Sequence, residues 1–142
     1  MQISSRFSVG VHVLTLLATT PVGELLTSDR LAGSVNTNPV VIRRILGQLK
    51  KAGLVEVRAA AGGTYLRRAP AAITLLEVYH AVEVVGARLF SLHDNPNPNC
   101  LVGRNIQAAL DDTVVRAQAA LEQELARVTL AQIVAGVAEL VG

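Results

Sequence analysis

The sequence predicts a mainly α-helical protein that carries one small β-hairpin and a long helix towards its C-terminus. Three observations favour this fold class. Apolar residues recur at helical spacing early in the chain, a short glycine-containing hairpin follows the third helical segment, and an apolar seam then extends over residues 105–128. With 142 residues, 51% of them hydrophobic, the chain can bury a core and lacks the composition typical of disorder.

Two helices are predicted before residue 36. Residues 5–20 carry apolar side chains at the spacing of a buried helix, and the segment 21–24, with its proline and glycine, ends it. Ser28 is then expected to cap a brief second helix that runs to Val35. Together these segments would form the support on which a third helix packs.

The apolar start of the chain does not indicate a membrane protein. No run reaches the ~18 uncharged apolar residues that a spanning helix needs. The run from Val9 to Ala18 contains His12 and lacks a small-residue cleavage site, which favours a core helix over a signal peptide. The single cysteine, Cys100, permits no intramolecular disulfide, as is typical of a reducing cytoplasm. We expect a cytoplasmic protein without a membrane partner.

A third helix is predicted from Pro39 to Ala52. Asn38 before a proline is a typical helix start, and Gly53 is a typical stop. One face of this helix is apolar, and the opposite face carries Val40, Arg43, Arg44, Gly47 and Lys51. An apolar face for docking and a basic outer face are typical of a recognition helix in the DNA major groove. The alternative is an ordinary amphipathic helix with a solvated face.

A β-hairpin is predicted directly after this helix. Residues 54–58 and 64–67 are typical of short strands, and residues 59–63 form a tip of small residues. A hairpin in this position is a wing, so the fold class is a winged helix–turn–helix domain followed by a long dimerisation helix. The tip glycines, Gly62 and Gly63, could alternatively belong to a nucleotide-binding loop, but no Lys-Ser/Thr pair and no strand–loop–helix context accompany them.

The charges are distributed unevenly along the chain. Residues 30–68 contain eight basic residues and one acidic residue (8 − 1 = +7), whereas residues 69–142 contain four basic and eight acidic residues (4 − 8 = −4). Because Lys and Arg release counterions when they neutralise phosphates, this basic stretch favours duplex DNA as a partner. Arg58 flanks the hairpin tip, and Arg67 and Arg68 lie at its far end, where they could contact a DNA backbone or minor groove.

Several spaced segments resemble one known family, the Rrf2 family of bacterial winged-helix regulators. They are residues 49–55, 62–63, 65–66, 68–70 and 73–83, and the resemblance covers essentially the whole chain. It implies a homodimer on a palindromic operator, usually acting as a repressor. The family's DNA-contacting positions correspond here to Ser28, Thr37, Asn38, Pro39, Val40, Arg43 and Arg44, with a wing that includes Arg58, Gly62 and Gly63. One departure is Ala59, where the family commonly has glycine.

A second departure concerns the iron–sulfur cluster that some members bind. Those members use three closely spaced cysteines before the long helix, whereas this chain has only Cys100 there. Cys100 and His93 fall short of the usual ligand set, so we expect no cluster, no metal and no other cofactor. The chain is similar to the cluster-free, YwnA-like branch. Cys100 and His93 are candidate sensor residues. For Cys100 the reason is that the positive potential at a helix start favours a thiolate. The alternative is that both are packing residues.

The seam over residues 105–128 predicts the long helix and its partner. Its apolar members recur every three or four residues and are Ile106, Leu110, Val114, Ala117, Leu121, Leu125 and Val128. A helix of about 36 Å exceeds what a wing domain needs to cover its core, so a second copy is expected to bury the seam. Thr129 can cap a final helix over residues 130–140 that packs back on the wing domain. Alternatively, both helices fold on their own subunit.

These observations divide the chain into a DNA-binding domain (1–84), a connecting loop at the sensor position (85–104) and dimerisation helices (105–142). The predicted function is a sequence-specific DNA-binding transcriptional regulator, with an unknown small-molecule or redox effector that acts on the loop and tilts the long helix. A thiol enzyme based on Cys100 and His93 lacks a third group to orient the histidine, so no catalytic residue is assigned. A winged-helix domain used only for protein contacts is disfavoured by the density of arginines.

Overall fold

The computed structural model describes residues 5–21, 23–58, 62–83, 89–90 and 93–142. Within them the chain forms six α-helices, one 3-10 turn (Pro70–Ala72) and one hairpin, which confirms the predicted fold class. The elements in chain order are α1 (Arg6–Thr19), α2 (Ser28–Val35), α3 (Pro39–Lys51), β1 (Val55–Val57), β2 (Thr64–Leu66), α4 (Leu75–Val82), α5 (Leu101–Ala126) and α6 (Leu130–Val141).

The core lies where α1, α2, α3, α4 and the base of the hairpin meet. Its largest fully buried side chains include Leu14, Leu31, Ile42, Ile45, Leu49, Leu54, Ile73, Val78 and Leu130. Helix α1 approaches α4 closely at Gly10, where an added Cβ would lie 3.3 Å from the Cγ1 of Val78. Because α6 contributes Leu130 to the same core, the C-terminal helix packs back on the wing domain, as the sequence predicts.

Helices α2 and α3 begin at side-chain caps that fix the turn between them. Thr27 Oγ1 accepts a hydrogen bond from Arg30 N at 3.2 Å, so Thr27 is the N-cap of α2 and Ser28 is its first helical residue. The prediction of Ser28 as the cap is therefore wrong by one residue. Asn38 Oδ1 accepts from Val40 N at 2.7 Å and Pro39 follows it, as predicted for the start of α3.

The hairpin is short and antiparallel. Val55 pairs with Leu66, and Val57 pairs with Thr64. Strand β1 also contacts α3, so the hairpin lies beside that helix. The strands are one or two residues shorter than predicted. Positions 59–61 of the tip, which include Ala59, lie outside the described residues.

Helix α5 is longer than the sequence spacing predicts. It begins at Leu101, with Cys100 as its N-cap, rather than at Asn105. Only Val114 among its 26 residues is buried, because α4 covers just one stretch of its length. Two contacts bind that stretch to α4: Gln118 Nε2 donates to Tyr79 Oη at 3.3 Å, and His80 Nε2 lies 3.0 Å from Glu122 Oε1.

Two capping boxes lie side by side where α4 and α6 begin. Thr74 caps α4 with Glu77, and Thr129 caps α6 with Gln132, as expected for Thr129. Backbone hydrogen bonds from Leu75 N to Val128 O (2.9 Å) and from Leu130 N to Ile73 O (2.8 Å) join the two starts. Among the described residues, no helix combines the length and apolar character that crossing a membrane requires.

The carboxylate of Glu77 makes the fold sensitive to acid. Burial raises the pKa of Glu77, but hydrogen bonds from Arg68 and Thr74 and the positive charge of Arg68 outweigh it, so the pKa is lower than the ordinary 4.5. A carboxyl whose pKa falls on folding stabilises the fold above its unfolded pKa, and the stabilisation is lost as pH falls through the lower, folded pKa.

We therefore expect Glu77→Gln to lower the free energy of unfolding at neutral pH. The loss should stay below about 1 kcal/mol, because the pair is more than one-third exposed and water screens it. Urea denaturation of both proteins at neutral and acidic pH measures the effect, and the difference should disappear once Glu77 is protonated in both states. A difference that persists unchanged in acid would show that the carboxylate charge is not its cause.

Candidate nucleic-acid interface

Helix α3 separates its residues into a buried and an exposed face. Ile42, Ile45, Leu46 and Leu49 pack into the core, whereas Val40, Arg43, Arg44, Gly47 and Lys51 are exposed, as the sequence pattern predicts. Val40, in the first turn, has 55% of its surface exposed although it is apolar. An exposed apolar side chain beside arginines at a helix start matches the apolar and bidentate contacts that read thymine and guanine in a major groove.

The basic residues fall into two groups according to whether an acidic side chain neutralises them. Within the part of the chain that the structure describes, neither an ion pair nor a side-chain hydrogen bond engages Arg43, Arg44, Lys50, Lys51 or Arg67. All but the last lie on α3. Three other basic residues of the +7 stretch (Arg30, Arg58 and Arg68) have acidic partners. The uncompensated positive charge is therefore concentrated on α3.

The wing arginine is held against the hairpin. Arg58 Nη2 lies 2.8 Å from Glu56 Oε1, and its guanidinium carbon lies 4.0 Å from the ring centroid of Tyr65. A DNA phosphate that contacts Arg58 would either replace the Glu56 carboxylate or share the Arg58 guanidinium with it. The predicted role of Arg58 in DNA binding stays a prediction.

The two wing glycines are needed for the shape of the hairpin. Gly62 and Gly63 have φ angles of 71° and 79°, a region that favours glycine. At Gly63 an added Cβ would also approach Leu25 Cδ2 to 3.2 Å, so the wing packs against the loop between α1 and α2. Both residues serve the backbone path of the wing, whether or not the wing also touches DNA.

The far end of the hairpin differs from the sequence-based interpretation. Arg68 is engaged inside the chain: its Nη2 donates to Glu77 Oε2 at 2.6 Å and to the carbonyl of Ala72. The sequence did not reveal this partner, which lies nine residues further along and beyond the 3-10 turn. Arg67 is exposed and keeps a surface position.

The turn before α3 contains the remaining predicted contacts. Thr37 is half-buried, and its backbone N donates to Ala32 O at 3.0 Å. Asn38 is exposed and uses its carbonyl oxygen for the α3 cap, which leaves its amide NH₂ group available. Pro39 is half-buried at the first helical position.

A groove joins α2, α3 and the wing. Its lining residues are Ser28, Arg43, Leu46, Gly47, Lys50, Val57 and Thr64. It brings together Ser28 and Arg43, both predicted DNA contacts, and it adds Lys50, which is not among the predicted contacts. The signal for Lys50 is its spacing, since residues seven apart lie on the same face of a helix and Lys50 is seven residues after Arg43.

The candidate sensor residues lie at the start of α5. Cys100 is exposed, and its Sγ accepts a hydrogen bond from Gly103 N at 3.4 Å. His93 is also exposed, and its backbone carbonyl accepts from Gln107 Nε2 at 2.8 Å. A role for either residue in sensing stays a prediction.

Comparisons with known proteins agree with this geometry. Residues 3–136 match the Rrf2 family, described as iron-dependent transcriptional regulators. The chain is 47% identical over 131 residues to YwnA of Bacillus subtilis (strain 168), which is named as an HTH-type transcriptional regulator; the alignment covers 92% of this chain and 96% of YwnA.

Solved structures of DNA-binding and regulatory proteins also resemble this chain. A crystal structure described as that of a DNA binding protein is 43% identical, covers 91% of this chain and 98% of its own, and superposes with a TM-score of 0.73. A transcriptional regulator from Lactobacillus plantarum is 25% identical with a TM-score of 0.79, covering 95% of this chain and 91% of its own. YwnA and the Lactobacillus plantarum protein are described as transcriptional regulators and not as enzymes. The chain has a winged helix–turn–helix whose helix α3 exposes arginines without an acidic partner in the described residues, and it belongs to the Rrf2 family of DNA-binding transcriptional regulators.

Proposed function

We propose that this regulator binds a palindromic operator as a homodimer and represses transcription without an iron–sulfur cluster. The observation that carries the proposal is the exposed face of α3, on which four basic side chains lack an acidic partner within the described residues. Such a face is favourable mainly beside an anionic partner, and the phosphates of duplex DNA supply that charge at high density.

Base recognition would fall to the first two turns of α3. Arg43 and Arg44 are exposed there and can pair bidentately with the O6 and N7 atoms of guanine. Val40 can contact the methyl group of thymine. Because each chain supplies one recognition helix, two chains related by a two-fold axis would read two half-sites about 34 Å apart.

The first half of α5 supports a dimer. Four of its apolar side chains remain exposed, with exposed fractions of 69%, 68%, 42% and 53% for Leu101, Val102, Leu110 and Val115. These four side chains lie on different faces of the helix, and of them only Leu110 belongs to the predicted seam. A second copy of the same helix would bury Leu110 in a symmetric contact and hold the two recognition helices at a fixed separation. The chain's own α4 covers only the stretch near Gln118 and Glu122.

The residues present do not fit an iron–sulfur cluster. A cluster is usually held by up to four ligands, most often cysteine thiolates, and each chain has one cysteine. Within the described residues, no group of three or more His, Cys, Asp and Glu side chains is arranged to hold a metal ion. We therefore propose that control of this regulator does not depend on cluster assembly in its own chain.

Repression requires only that the bound dimer occupies DNA needed by RNA polymerase. Because the proposed partner is DNA, we also propose a cytoplasmic location. Hydroxyl-radical footprinting on the DNA upstream of its own gene tests the operator and the dimer together. We expect two protected half-sites one helical turn apart and two chains per duplex. A single protected half-site with one chain per duplex would contradict the palindromic operator and the dimer.

A further inference from the structure

The groove between α3 and the wing contains hydroxyl groups as well as charged side chains. Arg43 and Lys50 line it as cations without an ion pair in the described part of the chain. Ser28 and Thr64 line it as hydroxyls, and within the described residues neither side chain makes a hydrogen bond. The Lys50 ammonium and the two hydroxyl donors match the needs of a tetrahedral oxyanion, and Arg43 lies on the side of the depression nearer the start of α3.

Gly47 lies between the two cations on the same face of α3. A glycine in the middle of a helix is unfavourable, because it adds backbone freedom to the unfolded chain. Packing within the chain does not require it: an added Cβ would meet no atom within 4 Å, and its φ is not in the left-handed region. Gly47 therefore leaves the floor of the groove open, as Gly136 leaves open space at the surface of α6.

We propose that this groove binds one phosphodiester of the DNA backbone, with Lys50 supplying the counter-charge and Gly47 the room for close approach. The contact rests on the proposed DNA-binding function and deepens it. The residues of α3 would then have two different roles. Arg43 and its neighbours near the helix start contact bases, whereas Lys50 near the helix end contacts the backbone and does not distinguish between sequences.

Lys50→Gln and Arg116→Gln form a matched pair that tests the anchor. Both remove one exposed charge, but only Lys50 lines the groove, whereas Arg116 lies on α5. Each phosphate contact contributes about 0.9 to the dependence of log K on log salt, so Lys50→Gln should lower the slope by about 1.8 per dimer. Its affinity at low salt should fall equally on operator and scrambled DNA. Equal effects of the two substitutions would overturn the proposal.

Gly47→Ala tests whether the DNA backbone needs the open space beside Gly47. The added methyl group should weaken DNA binding several-fold, yet raise Tm by about 2–6 °C through its higher helix propensity. The control is Gly136→Ala, another mid-helix glycine with open space around it, which should raise Tm without changing DNA affinity. Unchanged affinity in Gly47→Ala, together with a raised Tm, would contradict close approach of a phosphate at this position.

Two further outcomes distinguish the possible failures. If the unmodified protein selects its operator but Lys50→Gln and Arg116→Gln behave alike, the groove proposal fails and the regulator proposal stands. If the unmodified protein binds no DNA, the regulator proposal itself fails. Inorganic phosphate is then titrated at constant ionic strength without DNA, and a saturable rise in Tm that Lys50→Gln removes would assign the groove to a free anion and overturn the DNA contact.

Discussion

Replacing Arg43 by Ala is expected to abolish sequence-selective DNA binding while leaving the fold intact. Arg43 is exposed on α3 and has no acidic partner within the described residues, so its removal takes nothing from the core. A bidentate arginine–guanine contact contributes about 1–3 kcal/mol of discrimination, and a dimer would lose two of them. Fluorescence anisotropy on operator and scrambled DNA measures the loss, and circular dichroism measures the fold.

Arg127→Ala is the control for this experiment. It also removes one exposed arginine, but from the end of α5, away from the recognition helix. It should leave both affinities nearly unchanged. Arg43→Ala that still prefers the operator by the same factor as the unmodified protein would contradict the assignment of α3 as the helix that reads bases.

Leu110→Glu is expected to dissociate the proposed dimer and to weaken operator binding as a consequence. Leu110 lies on the apolar seam of α5 and is 42% exposed in the single chain, so the substitution should leave the chain's own core intact. In a symmetric helix pair it would bury two unpaired carboxylates, at a cost of about 3–5 kcal/mol. Sedimentation equilibrium at micromolar concentration should then show a monomer.

Gln123→Glu provides the matched control on the same helix. It introduces the same charge at an exposed position off the seam, and it should leave the dimer unchanged. If Leu110→Glu remains a dimer with its stability unaltered, the first half of α5 is not the interface, and the exposed apolar residues there need another explanation.

The sequence predicted α3 well because several independent local signals agree there. Asn38 and Pro39 start the helix, Gly53 ends it with a φ of 77°, and the apolar period selects the buried face correctly. The cap at Thr129 was equally clear, since Thr and Gln three residues apart form a capping box. At such places, local chemistry and tertiary packing favour the same structure.

Other features depend on contacts that a linear pattern does not reveal. The α5 start was predicted four residues late, because cysteine is not a typical cap and Gly103 is a weak helix former. Arg68 was predicted as a surface contact, although Glu77 and the Ala72 carbonyl engage it. Lys50 gained its candidate role only when folding brought the wing beside α3. Sequence alone indicates which residues are basic, and the fold decides which of them remain unpaired.

The exposed basic face of α3, whose cations have no acidic partner within the described residues, is expected to bind specific duplex DNA. The most direct test is fluorescence anisotropy of the protein on its own upstream DNA and on a scrambled duplex, in rising salt. We expect operator binding at least about 10³-fold tighter than binding to the scrambled duplex, and a steep loss of affinity for both as salt increases. Equally weak binding to both duplexes, insensitive to salt, would contradict the claim.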